Sequence, residues 1–567
     1  MRRRATWLLL CPLLATAVAC AGRAGGSDPG TGGSGNPGGG GIGNPGTGGS
    51  GNGTGSGGST GLGGAGAVGF DLACAGPAMG RPVLRMLNRS ELERTVNDIF
   101  PQVMGQWTNS LPAVTVSGYG FDNDSSLTMG TQLAAALRDT AKSVGTAVTG
   151  TALAQVLPCS STGANRTCAT DFINKFGRRL FRRTVTQAER DRYLAFYDAA
   201  LARSDFKAAI RWITVGLIQS PNTIYRREIG TASGNMRALS AHELATSLAY
   251  TYTGTTPSED LLTQADNGTI ADPVATAKTL LATTRGKEAL QHFFESWLDY
   301  PRASSMEKQN IATYANVRGD MVQETRAFID DVVIQKRGGL RELLTAPTTN
   351  PSTALAQYYG FPAPSSSYAT MTRPTGRGIG VLAQGSVLSA RAKPNSSSPT
   401  ERGLLVFLRL LCETKPQLPD VVPPIAEPSP GQITTRQRYE MMHGIGGCAV
   451  CHKRFDPIGF GFEHFDEGGR YRQNEGGLAI NSASAVPGPN DQPLFQFTDQ
   501  ESLMTGLVEQ QIVYQCMSAY LATYAFGTGD ACLGAGLTAN LQAGTAGIAD
   551  SFAALAGQPH FSTRQAQ

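Results

Sequence analysis

The chain has 567 residues and a formal charge of +4, of which Arg2, Arg3 and Arg4 supply three, leaving about +1 for the remainder. No basic patch is present to hold a phosphate backbone, so composition argues against nucleic acid as a partner. Of 69 glycines, 25 fall between Gly22 and Gly69, a 48-residue stretch whose sizeable apolar side chains are Ile42, Leu62 and Val68, too few to offset the entropy of ordering it.

Residues 1–19 read as an export signal. Arg2 to Arg4 form a basic start, Trp7 to Ala15 an apolar run, and Ala17-Val18-Ala19-Cys20 a small-residue cleavage site ending in cysteine. This pattern predicts a lipoprotein signal in which Cys20 is acylated; ordinary secretory cleavage near Ala19 or Ala21 is the alternative, and both export the chain. Residues 20–69 then form a flexible tether with a reach of roughly 40 Å, long enough to hold a body clear of a membrane surface. The expected location is the bacterial cell envelope, at the outer membrane or cell surface, with the periplasmic side also open. Later in the chain the longest apolar run, Leu404 to Leu411, is broken by Arg409 and is too short to span a bilayer.

The body repeats helix signals and offers few strand signals. Ser or Thr precedes Glu or Gln by three at Ser90/Glu93, Thr186/Glu189, Ser240/Glu243, Ser398/Glu401, Thr434/Gln437 and Thr498/Glu501, each opening an apolar-periodic run. Leu290, Phe293, Phe294, Trp297 and Leu298 make a helical stripe suited to core packing. The expectation is an all-α protein with irregular loops, some Pro-rich, such as Lys415 to Pro430. Its expected divisions are helical modules at 70–158, 159–232 and 233–370, a cofactor-bearing module at 371–475 and a C-terminal helical module at 476–567. The Gly376, Gly378 and Gly380 series lacks a preceding strand and reads as a turn-rich connector, not a nucleotide loop.

Ten cysteines are present. Cys11 leaves with the signal and Cys20 is the lipid site; the other eight belong to an oxidising compartment. The sharpest chemical signal is Cys448-Ala449-Val450-Cys451-His452. In such a segment one helical turn sets two sulfurs on one edge of a porphyrin for thioether bonds, and the next imidazole reaches the iron. Composition alone would produce about 0.002 such matches. A zinc site would need four ligands, and no second Cys pair stands nearby to complete one. We therefore expect one covalent haem c on Cys448 and Cys451 with His452 as proximal ligand. The remaining six cysteines read as disulfides: Cys159–Cys168 and Cys516–Cys532 by proximity, Cys74–Cys412 by elimination. The distal ligand stays open among Met504 and Met517 after the motif and Met441, Met442 and His443 before it. His242, His292, His464 and His560 read as surface or core residues.

Beyond single motifs, five stretches resemble, in order, the multidomain planctomycete-type cytochrome c proteins. The first is Arg85-Met86-Leu87-Asn88-Arg89-Ser90-Glu91-Leu92 with Gly120-Phe121-Asp122-Asn123; the second is Phe176-Gly177-Arg178-Arg179-Leu180-Phe181-Arg182-Arg183 with Gln219-Ser220-Pro221-Asn222. The third is Leu239-Ser240 with Glu243-Leu244-Ala245, Phe294 and Trp297-Leu298; the fourth joins Gly378 to Leu388, Ser398-Pro399, Arg402-Gly403, the haem motif and Asp456-Pro457-Ile458-Gly459-Phe460. Tyr524-Ala525-Phe526-Gly527 with Asp530 and Cys532 is similar to a fifth. The resemblance implies an exported, helical, haem-bearing protein and supplies no reaction. His443 departs from it, lying closer to the first haem cysteine than the family's upstream histidine does.

A single such motif argues against dihaem peroxidases and oxygenases, and no repeated blade pattern suggests a propeller. Two functions remain at this level, with a third and blander one beside them. One is a membrane-tethered monohaem electron carrier serving an envelope oxidoreductase; another is a haem-dependent oxidative enzyme acting on an extracellular substrate such as a polymer. The third is an envelope scaffold with structural haem. No Asp or Glu pair identifies a general acid and base.

Overall fold

A computed structural model describes residues 69–74, 79–113, 117–159, 165–416, 432–488 and 492–566. The export segment 1–19, Cys20 and the tether as far as Val68 lie outside the described residues, as does most of the Pro-rich stretch Lys415 to Pro430.

Helix makes up 56% of the structure, accompanied by small antiparallel sheets of two or three strands. The all-α expectation is corrected to a mostly helical body. The strands escape sequence reading because each spans two to five residues, such as Thr348–Thr349 and Pro493–Phe497, too short for alternation to register. Helix starts follow side-chain capping chemistry. Thr186 with Glu189, Ser240 with Glu243 and Thr434 with Gln437 form reciprocal capping pairs. Two expected starts move: Asn88 with Glu91 replaces Ser90 with Glu93, and Asp499 with Ser502 replaces Thr498 with Glu501. Asn and Asp cap at least as well as Ser and Thr, and the cap falls where the backbone leaves extended geometry, as at Asn88 (φ −76°, ψ 176°).

Ten elements matter below. They are β1 (Val83–Met86), α1 (Arg89–Ile99), β2 (Tyr225–Glu228), α2 (Thr284–Leu298) and α3 (Pro399–Arg409), then α4 (Thr435–His443), α5 (Gly446–His452), α6 (Asp456–Phe460), α7 (Gln511–Phe526) and β3 (Thr563–Gln565).

One hydrophobic core gathers Leu92, Val96, Phe172, Ile213 and Tyr250, drawing on the first three expected modules. A larger one joins the α2 stripe, including Phe293 and Trp297, to Leu388, Val406, Ile458, Tyr520 and Phe552. Between distant parts of the chain, β1 pairs antiparallel with β2, setting Val83 opposite Glu228. A charge network is buried there. Arg226 bonds Glu91 (3.0 Å), Arg564 on β3 bonds Glu228 (2.6 Å), and Arg85 stands 3.6 Å from Glu228. The Gly376, Gly378 and Gly380 connector takes positive φ at all three positions, and a side chain at Gly380 would collide with the Leu344 carbonyl.

Three disulfides are present. Cys159–Cys168 is the expected local bond. The other two are corrected: Cys74 pairs with Cys532 and Cys412 with Cys516, replacing Cys516–Cys532 and Cys74–Cys412, each new pair with Cα atoms 5.4 Å apart. The reason is tertiary. Cys516 faces the core from the middle of α7, where its sulfur meets the Arg409 carbonyl at the end of α3, next to Cys412. Cys532 lies past the Gly527 helix stop, on the separate short helix Ala531–Leu537. Closeness in sequence set these cysteines on different sides of a turn.

Among the described residues no helix is long and apolar enough to cross a membrane.

Candidate functional site

The motif cysteines lie on α5, a seven-residue helix with no fully buried residue. It follows α4 after a break at Gly444 to Gly446, where Gly446 takes φ +58°, and precedes α6, whose start is set by Asp456-Pro457. Helix α3 crosses α6 at backbone contact. A Cβ at Gly403 would strike the Phe455 carbonyl, and one at Gly459 the Pro399 carbonyl, so both glycines of the Arg402-Gly403 and Ile458-Gly459 motifs are required by close approach. Arg402 beside the crossing is buried and donates to the carbonyls of Phe462 (3.0 Å), Phe465 (2.6 Å) and Asp466 (2.7 Å), tying the turn after α6 to α3.

This crossing buries Asp456 among three donors. Its carboxylate accepts from Thr400 Oγ1 (2.6 Å), His443 Nδ1 (2.5 Å) and His452 Nδ1 (3.1 and 3.2 Å to its two oxygens). Burial alone would raise this carboxyl, yet the hydrogen bonds from His443, His452 and Thr400 together outweigh it and hold it below its ordinary value. An ionised carboxylate only accepts, so each imidazole presents Nδ1–H to it and keeps Nε2 for other use. The two rings lie face to face, centroids 3.5 Å apart and planes tilted by 30°. Tyr439 stands edge-on to His443 at 5.0 Å, and Phe455 to His452 at 5.0 Å.

Large apolar side chains stand exposed on α4, on α5 and in the turn between them. Met441, Ile445 and Val450 are 63%, 70% and 66% exposed, three of the few large hydrophobic side chains left in solvent. Cys448 and Cys451 are free and half-buried, whereas the other six described cysteines are paired. His443, His452 and Asp456 are close enough to share an ion, but neither thiol belongs to that cluster, so the four groups of a tetrahedral Cys/His zinc site do not converge.

The donor set fits covalent haem: two unpaired thiols one helical turn apart, an imidazole whose Nδ1 is fixed by a carboxylate, and exposed apolar side chains at Ile445 and Val450 that a macrocycle could cover. The candidate distal ligands are scattered. Met504 and Met517 are wholly buried in the main core. Met441 lies two residues from His443, roughly 200° around α4, and points to solvent; Met442 is half-buried between these directions. His443 lies on the same side as His452.

Sequence reading named Cys448, Cys451 and His452 and gave no role to Asp456 or Thr400. A Thr 56 residues before an Asp carries no local signal. A second missed feature is a cavity of about 700 Å³ on the other face of α3. It is lined by Asp122, His292, Glu295, Arg391, Glu401 and Arg409, with His292 Nε2 3.3 Å from Asp122. His292, read from sequence as a surface or core residue, lines this cleft, and it was hidden because it sits at the edge of the α2 packing stripe.

Four family models match consecutive stretches of the chain. They are PSD3, protein of unknown function (DUF1587), at residues 85–150; PSD5 (DUF1595) at 168–228; PSD4 (DUF1592) at 239–361; and PSCyt3 (DUF1588) at 377–475. No curated protein and no solved structure matches the chain. The four matches fall in order on the first four stretches quoted above, and the last of them contains the crossing, the motif helix and Asp456. With these modules in this succession, the chain belongs to the multidomain planctomycete-type cytochrome c proteins.

Proposed function

We propose that this chain is an exported, membrane-tethered monohaem c-type cytochrome that passes electrons to or from an envelope oxidoreductase. The observation that carries this reading is the pair of free thiols on α5 beside an imidazole anchored by Asp456, in a body whose other described cysteines are all paired. Cys448 and Cys451 would attach the haem and His452 would bind its iron; when bound, haem c supplies a one-electron couple. The exposure of α5 supports contact with a protein partner, since Val450 within the motif and Ile445 three residues before it stand at the surface. Lipidation of Cys20 and the glycine-rich spacer would hold the body at the envelope while letting it reach that partner.

A second reading, a haem-dependent oxidative enzyme, is favoured by one specific observation: Met504 and Met517 are core residues and Met441 points to solvent, which is compatible with an open sixth position. Spectra with carbon monoxide separate the two. A reduced spectrum indifferent to carbon monoxide supports the carrier, and rapid binding to native protein supports the enzyme. For both, replacing Cys448 and Cys451 together by Ala should lose covalent haem staining on a denaturing gel, and normal staining in that double variant would overturn the haem assignment.

A further inference from the structure

We propose that Asp456 is a positioning residue that gives the haem-binding imidazole of His452 anionic character, and that His443 is the second partner of this carboxylate and not an iron ligand. The proposal rests on the haem reading above and adds the identity of the residues that set the iron's potential.

The geometry of the two histidines excludes one role for His443. Two imidazoles that held one metal ion between them, each at a bond of about 2 Å, would keep their nitrogens about 4 Å apart and their ring centres farther still. The rings of His443 and His452 are 3.5 Å between centres with their planes 30° apart, and both direct Nδ1 at the same carboxylate. They are stacked neighbours on one side of any group that His452 binds. His443 is fixed there by Tyr439, one helical turn earlier on α4.

The same geometry gives Asp456 its effect. A carboxylate that accepts the outer N–H of a ligating histidine fixes the tautomer and raises ligand basicity. That stabilises the more positive, ferric iron and lowers the potential. Asp456 divides its charge among three donors, so the share reaching His452 depends on the other two. Thr400, on the facing helix α3, takes one oxygen at 2.6 Å. Removing the carboxylate and removing its competing donor should therefore move the potential in opposite directions, a pattern that loosened packing would not produce.

The test uses the full chain matured with haem. Asp456→Asn should favour the ferrous state at least tenfold, a positive shift of about 59 mV for one electron, while Asp456→Glu recovers part of it. Thr400→Val should shift the potential the other way. His443→Phe keeps a stacking ring and should lower the potential without opening a carbon monoxide site absent from the parent. If Asp456→Asn and Thr400→Val both keep covalent haem at the parental potential, the role of Asp456 is overturned while haem binding stands. If His443→Phe turns a low-spin centre into one that binds carbon monoxide, His443 is a ligand and its assignment here is overturned. A parent protein without covalent haem overturns the underlying reading itself. Should Asp456→Asn fail to fold, the sign of the Thr400→Val shift decides the matter alone: a negative shift supports the proposal, and a null or positive one overturns it.

Discussion

Replacing Glu228 by Gln tests the buried charge network that joins the start of the described body to its end. Glu228 on β2 is almost fully buried and faces Arg564 at 2.6 Å, Arg226 at 3.5 Å and Arg85 at 3.6 Å. Burial alone would raise its carboxyl, but these arginines outweigh burial and bring it down to about 2 from 4.5. Converted at 1.36 kcal/mol per tenfold change, that depression is worth about 3 kcal/mol. Removing one partner of a buried ion pair typically costs 3–5 kcal/mol, because the opposite charges stay buried. Glu228→Gln should therefore lose about 3 kcal/mol in urea unfolding at pH 7. The pH dependence follows from the direction of the shift. A carboxyl depressed in the folded state contributes fully above pH 4.5 and loses that contribution as pH falls toward 2. The difference between parent and variant should therefore narrow over that window. A loss below about 1 kcal/mol at pH 7, or a difference as large at pH 2 as at pH 7, would refute the reasoning.

Three further outcomes are expected. Replacing Cys412 and Cys516 by Ser together removes a cross-link spanning 104 residues; chain entropy sets its worth at about 4.7 kcal/mol, measurable by denaturant unfolding, and peptide mapping of the parent should recover a Cys412–Cys516 linked pair. Gly403→Ala should force α3 from α6, destabilising by about 1–3 kcal/mol and reducing covalent haem yield, and a variant with parental stability would show that the crossing is looser than described. Burial, aided by Arg564, pushes buried His560 down to about 4 from 6.5. The unfolded chain then binds a proton that the folded one does not between those values, so stability should fall as pH drops from 6.5 to 4, and His560→Phe should flatten this slope by about 3 kcal/mol across the window.

The features legible in sequence are those whose chemistry is local. The Cys448 to His452 spacing lies within about one helical turn, so its geometry follows from helix dimensions wherever the segment sits. The Thr186, Ser240 and Thr434 helix starts are equally local, as is Cys159–Cys168, separated by nine residues. The ordered family stretches carried the modular organisation for the same reason, each being a short continuous run. What depended on tertiary structure needed segments brought from far apart. Arg564 and Glu228 are 336 residues apart, and Thr400 and Asp456 are 56 apart; neither pair leaves a trace in any window of sequence. The disulfide partners were misassigned because proximity in the chain says nothing about which face of α7 a cysteine takes. Asp456 shows the division most clearly. Sequence placed it in a recognisable Asp-Pro-Ile-Gly-Phe motif, but only the α3–α6 crossing, permitted by Gly403 and Gly459, buries it beneath two imidazoles, where a single carboxylate can govern them both.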